Sequence, residues 1–190
     1  MEAQQRRQHR SFPAGPGRFL RYIEAMFEVL VYVYENYWRG DACPELPQLE
    51  RKLNAIGFDA DEIRDALLWL DGLNLAAQST LWLDTAPPPQ PDASLSRIQS
   101  PDSMRVYSVA EQNHLGAECL GFISFLESAE VLPPPLREVV LDRAMAVPGE
   151  PIALDDLKII ILMVYWSFGE EPGTLVLDEL YDDSAERIAH

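Results

Sequence analysis

Four carboxylates lie close together at one predicted helix start, and closely spaced carboxylate oxygens are the ligands that Ca²⁺ and Mg²⁺ prefer. They are Asp59, Asp61, Glu62 and Asp65. A second interpretation needs no metal, because Asp59 can cap the helix and Glu62 can reach back to the cap. Asp61 and Asp65 then share a solvated helix face. We expect an acidic helix face here and no metal site.

A histidine and a cysteine form the second candidate for chemistry, because an imidazole base can activate a thiolate nucleophile. His114 and Cys119 are five positions apart, a spacing that places them on different faces of a helix. The sequence contains no phosphate-binding glycine loop and no nucleophile elbow. We therefore predict no catalytic residue and no cofactor.

The first predicted helix carries the candidate residues for partner binding. Its aromatic side chains fall on more than one side of the helix, so the core cannot bury all of them. The candidates are Tyr32, Tyr34, Tyr37 and Trp38. Arg105 joins them as a rare cation beside a predicted strand, where it contacts a partner or pairs with an internal carboxylate.

Three helices are predicted in the first half of the chain. Apolar residues follow a helical period over residues 19–38, and a shorter stripe follows over residues 46–56. The third helix begins at the Asp59 cap, and Gly72 is the permissive residue just past its predicted end. Its apolar stripe consists of Ile63, Ala66, Leu67 and Leu70.

Two segments with the composition of β-strands follow these helices. Residues 79–83 and 104–107 are rich in β-branched and aromatic residues and predict a hairpin. The Pro-rich residues 85–102 between them predict a loop, because proline cannot donate to a ladder. Helix, helix, helix, strand and strand is the order of a winged helix. The predicted fold class is therefore mainly α, with a winged-helix-like half over residues 26–107.

The second half is predicted to be helical. Ser108 and Glu111 form a capping box at the start of a helix in which Gly116 and Gly121 indicate close packing or a bend. Three to four helices are expected over residues 108–168. Residues 169–190 are acidic and predict a tail or a short last helix.

Charge and composition limit the possible partners. The formal net charge of −16 opposes binding to phosphate backbones and to anionic lipid surfaces. The longest apolar run, residues 159–166, is far shorter than the roughly 20 residues that span a membrane. Two cysteines without framework spacing suit a reducing compartment. We therefore predict a cytoplasmic protein that binds a basic protein partner and neither membranes nor nucleic acid directly.

The first 25 residues differ in composition from the rest. They contain five arginines, with prolines and glycines between them, and predict a disordered basic arm or an extended start before Met26. They lack the apolar segment of about 7–15 residues that a signal peptide requires.

Several motifs together indicate a known family. In the first half they are residues 26–30, 57–70 and 103–107, and in the second half residues 119–127, 137–143 and 154–164. These motifs resemble the Smg proteins of Gram-negative bacteria over residues 26–168. The resemblance implies no catalytic or binding residues, and it implies that family members begin at the equivalent of Met26.

The function expected from these observations is that of a non-catalytic acidic adaptor for a protein partner. One alternative is an accessory factor of nucleic-acid processing that contacts DNA or RNA through the basic arm. Another is an enzyme whose residues meet only in space, such as Arg105 with Glu111 or Asp142. The sequence leaves the identity of the partner and the oligomeric state open.

Overall fold

Six helices form the described part of the protein in a computed structural model, which describes residues 16–37, 45–85, 105–149 and 151–170. They are α1 (Pro16–Tyr37), α2 (Leu46–Ile56), α3 (Ala60–Thr85), α4 (Val109–Ser128), α5 (Pro134–Met145) and α6 (Leu154–Phe168). These ranges contain no strand. The prediction of a mainly α fold is therefore confirmed.

Helix α6 is the central helix of the fold, because it packs against α1, α3, α4 and α5. Ten consecutive residues along it are buried, from Asp156 to Tyr165. All six helices contribute side chains to one hydrophobic core. A helix that is apolar on every side is stable only when other elements surround it, and α6 has that environment.

The prediction of a winged-helix-like half is wrong, because the segment predicted as its first strand is helical. Residues 79–83 continue α3, which extends to Thr85. The hydroxyls of Ser79 and Thr80 donate to the carbonyl oxygen of Ala76 at 2.8 and 3.0 Å, so both are satisfied within the helix. Packing of α3 against α1, α5 and α6 outweighs the weak local preference for a strand.

The second predicted strand is not observed either. Residues 105–107 form irregular chain that leads into α4, and Met104 lies outside the described residues. In place of a hairpin, α3 packs against α5 and α6, α1 packs against α6, and α2 packs against α3.

Gly72 does not end α3 as predicted; it allows α5 to approach. A Cβ atom at this position would lie 1.9 Å from Nη1 of Arg143. That guanidinium donates to the carbonyl oxygen of Trp69 at 3.5 Å, and Nε1 of Trp69 donates to the carbonyl oxygen of Arg143 at 3.1 Å. The missing side chain therefore makes room for a reciprocal contact between α3 and α5.

Both predicted helix starts are confirmed. The backbone N–H of Asp61 donates to Oδ1 of Asp59 at 2.9 Å, and the N–H of Asp59 donates to Oε2 of Glu62 at 3.2 Å. At α4 the N–H of Ser108 donates to Oε2 of Glu111 at 2.7 Å, and the N–H of Glu111 donates to the Ser108 hydroxyl at 3.3 Å. These local contacts satisfy amides that have no partner inside the helix.

Helix α4 contains the predicted bend. Gly116 has φ +69° and ψ 174°, while Gly121 remains helical. The loop after α5 packs against this bend, where the N–H of Ile152 donates to the carbonyl oxygen of His114 at 2.8 Å. Gly116 thus divides α4 into two segments that lie against one loop.

Three predicted segments fall largely outside the described residues. Helix α1 begins at Pro16, inside the predicted arm, where proline suits the first turn of a helix. Residues 1–15 of the arm, residues 86–104 with the Pro-rich segment and residues 171–190 of the acidic tail are not described. No helix within the described ranges has both the length and the apolar character needed to cross a bilayer.

Candidate partner-binding face

Two aromatic rings meet where α1 passes the start of α3. Tyr32 of α1 and Phe58, just before α3, pack edge to face with their ring centroids 5.6 Å apart and an interplanar angle of 64°. Both side chains are half-buried, so part of each ring faces solvent. Edge-to-face packing fixes the orientation of the two rings.

Exposed carboxylates lie on the same helix face as Tyr32 and next to Phe58 in the sequence. Glu28 and Glu35 lie four residues before and three residues after Tyr32, which places all three on one face of α1. Asp59 directly follows Phe58 and is exposed. Neither Glu28 nor Glu35 forms an ion pair with another described residue. We call these five residues, Glu28, Tyr32, Glu35, Phe58 and Asp59, the acidic aromatic face.

The acidic aromatic face has the chemistry to bind a lysine or arginine side chain. A cation is attracted to the face of an aromatic ring within about 6 Å of its centroid. Carboxylates beside the ring can accept charge-assisted hydrogen bonds from the same cation. The protein itself shows this preference nearby, where Nζ of Lys52 lies 5.1 Å from the ring centroid of Tyr37.

The predicted aromatic candidates have different environments. Tyr34 is 5% exposed and belongs to the core, so it does not contribute to a surface. Tyr37 is half-buried under Lys52, and Trp38 lies outside the described residues. Tyr32 is the predicted residue at the centre of the face. The contribution of Phe58 was not predicted, because it depends on a contact between residues 26 positions apart.

Arg105 lies inside a charge network and not on a free surface. Its Nη2 donates to Oε1 of Glu111 at 2.8 Å, and its Nε donates to Oε1 of Glu138 at 2.9 Å. Its guanidinium carbon also lies 4.7 Å from the ring centroid of Tyr107. The expected pairing with Glu111 is present, whereas Asp142 accepts from Arg143 at 2.6 Å. Arg105 therefore attaches the chain before α4 to α5.

Arg137 extends the network and is 8% exposed. Its Nη2 donates to Oε1 of Glu138 at 2.7 Å, and its Nη1 donates to Glu127. Burial of Glu138 opposes its ionisation, but hydrogen bonds from Arg105 and Arg137 outweigh that effect and lower its pKa. Arg137 and Glu138 are not predictable as site residues from the sequence, because Glu138 lies 33 positions from Arg105 and Glu127 lies 10 positions from Arg137.

The ion pairs of this charge network make the stability of the fold depend on pH. Hydrogen bonds from Arg105, and then from the N–H of Ser108, lower the pKa of Glu111 from 4.5 to about 2. A carboxylate with a lowered folded-state pKa stabilises the fold above its unfolded pKa, and that contribution is lost as the pH falls toward 2. We expect the stability difference between wild type and Glu111→Gln to be largest near neutral pH and to shrink below pH 4.5.

Urea unfolding at a series of pH values measures this difference. Glu118→Gln is the matched control, because Glu118 is exposed on the same helix and has no ion pair in the described structure. Because it removes no ion pair, this substitution should change the stability at neutral pH much less than Glu111→Gln does. A Glu111→Gln difference that remained constant with pH would contradict the assignment.

The side chains of His114 and Cys119 both donate hydrogen bonds to backbone carbonyl oxygens. Nε2 of the buried His114 donates to the carbonyl oxygen of Ala144 at 2.9 Å, because a carbonyl can only accept. The Cys119 thiol donates to the carbonyl oxygen of Ile152 at 3.6 Å. Burial, followed by the charges of Glu118 and Asp156, raises the pKa of this thiol to about 11. The thiol is therefore protonated at neutral pH and attaches the loop before α6 to α4.

A groove of about 420 Å³ lies between α3 and α5. Its walls are Gly72, Leu75, Ala76, Ser79 and Thr80 of α3 and Glu138, Val139, Asp142 and Arg143 of α5. Both of its carboxylates already accept from arginines, Glu138 from Arg105 and Arg137 and Asp142 from Arg143. Within the described residues, no group of three or more His, Cys, Asp or Glu could hold a metal ion.

Comparison with known proteins gives the family. The model of a family described as "Protein of unknown function (DUF494)" matches residues 26–190. The chain is 56% identical over 165 residues to the "Protein Smg homolog" of Leptothrix cholodnii and equally to that of Methylibium petroleiphilum. It is 46% identical over 165 residues to that of Bordetella pertussis. Each alignment covers 87% of this chain and 100% of the relative. No solved structure matches the chain. The chain therefore belongs to the Smg family, DUF494.

Proposed function

We infer that the protein is a non-catalytic adaptor that binds a basic segment of a partner protein. The observation that carries this proposal is the charge balance of the exposed side chains. Among the side chains that the structure describes, twelve exposed carboxylates face solvent against three exposed cations. The carboxylates are Glu28, Glu35, Glu45, Glu50, Asp59, Asp61, Asp71, Glu118, Glu130, Glu138, Asp142 and Glu170, and the cations are Arg51, Lys52 and Arg64.

The imbalance arises because the other cations whose side chains the structure describes are half-buried or buried. Arg105 and Arg137 are held by glutamates, and Arg143 lies between Asp142 and α3. Lys158 is 4% exposed. Glu138 and Asp142 are paired with these arginines, and Asp61 is paired with Arg64, so nine of the twelve exposed carboxylates have no ion pair in the described structure. The surface therefore presents a negative field that attracts basic partners.

The acidic aromatic face is the part of this surface that can also give specificity. Its two rings provide a fixed site for one cation, and its carboxylates lack cations of their own in the described structure. Desolvated aromatic and arginine contacts contribute more to affinity than exposed charge pairs at a rim. We place the centre of the binding site at Tyr32 and Phe58.

Charge reversal on the face tests this function. The probe is a synthetic arginine-rich peptide, and its affinity for the full chain is measured by fluorescence anisotropy at about 50 and 500 mM salt. We expect binding at low salt and a large loss at high salt. Glu28→Lys with Glu35→Lys should weaken low-salt binding by at least about tenfold, which corresponds to about 1.4 kcal/mol.

The matched control is Asp71→Lys with Glu130→Lys, which makes the same change in net charge away from the face. We expect this variant to weaken binding by no more than about threefold, since only long-range attraction is reduced. No binding of the peptide at low salt would overturn the adaptor proposal. Equal losses for the two variants would overturn the face as its site, because net charge alone would then explain the binding.

A further inference from the structure

The outer side of α4 carries an exposed aromatic pair that the proposed function does not use. Phe122 and Phe125 stack with their ring centroids 6.3 Å apart and an interplanar angle of 28°. Phe125 is 56% exposed, whereas Phe122 is half-buried. A phenyl ring exposed to this degree loses contact with water when another apolar surface covers it.

Gly121 lies on the same side of α4 and leaves an open space. The residue is exposed and helical, and a Cβ atom there would meet no described atom within 4 Å. Glycine is a poor helix former, and nothing in the described fold requires it at this position. We define Gly121, Phe122 and Phe125 as the α4 face. It consists of a protruding ring and a gap four residues apart.

The Phe125 ring of one chain can fill the open space at Gly121 of a second chain. A two-fold axis through position 123 of two antiparallel α4 helices would place Phe125 of each chain opposite Gly121 of the other. The same register pairs Phe122 with Ser124 and the exposed Glu118 with Ser128. Like charges therefore do not meet in this arrangement.

Charge also favours a second copy over a basic partner at this face. Helix α4 has no charged residue over positions 119–126, although the exposed surface elsewhere is strongly acidic. A basic partner would find no carboxylate there to pair with. Two chains of charge −16 repel each other, so they can approach closely at a patch without carboxylates, where the nearest charge is Nζ of Lys158 at 5.7 Å from the ring centroid of Phe122.

We propose that the protein forms a two-fold symmetric dimer through the α4 face. The dimer would be held by apolar contact, so salt should strengthen it by screening the repulsion between the two chains. Basic partners of the acidic aromatic face should respond to salt in the opposite direction. The two surfaces are independent, because α4 does not contribute to the acidic aromatic face.

Sedimentation equilibrium of the full chain tests the proposal at concentrations from about 1 to 200 µM, a range that covers weak and moderate association. We expect a mass that rises toward the dimer with concentration, and a lower dissociation constant at about 500 mM than at about 50 mM salt. Phe125→Glu should raise the dissociation constant at least about tenfold, because it buries two new charges at the interface. Val109→Glu is the matched control, since Val109 is 73% exposed on the same helix before the bend, and it should leave the dimer unchanged.

A second variant separates the interface from the fold. Gly121→Leu fills the gap and replaces glycine with a strong helix former, so we expect a higher melting temperature together with a weaker dimer. A wild-type protein that stays monomeric at every concentration and both salts would overturn the proposal. So would a dimer that Phe125→Glu and Val109→Glu affect equally.

Discussion

Replacement of Gly116 by alanine is expected to lower the free energy of unfolding by about 2–3 kcal/mol, because a side chain is strained in its backbone conformation. Gly116 has φ +69° and ψ 174°, a region that is almost restricted to glycine. Steric overlap with a neighbouring residue does not cause this loss of stability, since an added Cβ would lie 3.7 Å from Cβ of Pro151, an ordinary contact. The helix cannot easily straighten to relieve the strain, because His114 and Cys119 on either side both bond Ile152.

Gly121→Ala on the same helix provides the control, with an expected effect of opposite sign. Its backbone is helical and its outer side is open, so alanine should stabilise the helix by about 1 kcal/mol. Urea unfolding followed by circular dichroism measures both changes. If the two substitutions had the same sign, the division of α4 at Gly116 would be wrong.

Ile160→Ala has the largest expected effect, a loss of about 3–4 kcal/mol in the free energy of unfolding. Ile160 has no exposed surface and lies midway along α6, the helix that packs on α1, α3, α4 and α5. Removal of its outer carbons leaves a cavity that no single neighbouring helix can fill by shifting. The lost transfer energy and the cavity therefore add together.

Leu68→Ala is the comparison for this substitution, because Leu68 is also an aliphatic residue in a helix but is 58% exposed. We expect a change within about 0.5 kcal/mol, the usual range for surface positions. Chemical denaturation at constant pH measures both variants. A loss of less than about 1 kcal/mol for Ile160→Ala would contradict the central position of α6.

Local signals made much of the fold predictable from sequence. The caps at Asp59 and Ser108 involve residues within three positions of each other, so sequence alone indicates where α3 and α4 begin. The end of α3 was mispredicted because it depends on distant residues. The glycine at position 72 makes room for the side chain of Arg143, which lies 71 positions later in the sequence. Residues 79–83 are helical because α3 packs on other helices.

For the candidate site, too, the residues with local signals are predictable from the sequence and those with distant partners are not. Tyr32 and Arg105 stand out in the sequence by residue type and by local contrast. Their partners do not, because Phe58 is 26 positions from Tyr32 and Glu138 is 33 positions from Arg105. The sequence shows which residues of α1 are aromatic, but only packing separates the buried Tyr34 from the half-buried Tyr32.

The central position of α6 has a consequence for synthesis on the ribosome. The apolar sides of α1 and α3 pack against a helix that is translated more than 100 residues after the end of α1. At about 5–20 residues per second, the surface of α1 waits roughly 6–25 s for α6 and the surface of α3 waits roughly 3–17 s. Nascent chains on one polysome therefore carry exposed apolar helices side by side during this interval. Carboxylates outnumber cations in α1 and strongly in α3, so these neighbouring chains carry like charge, which opposes their association until α6 is available.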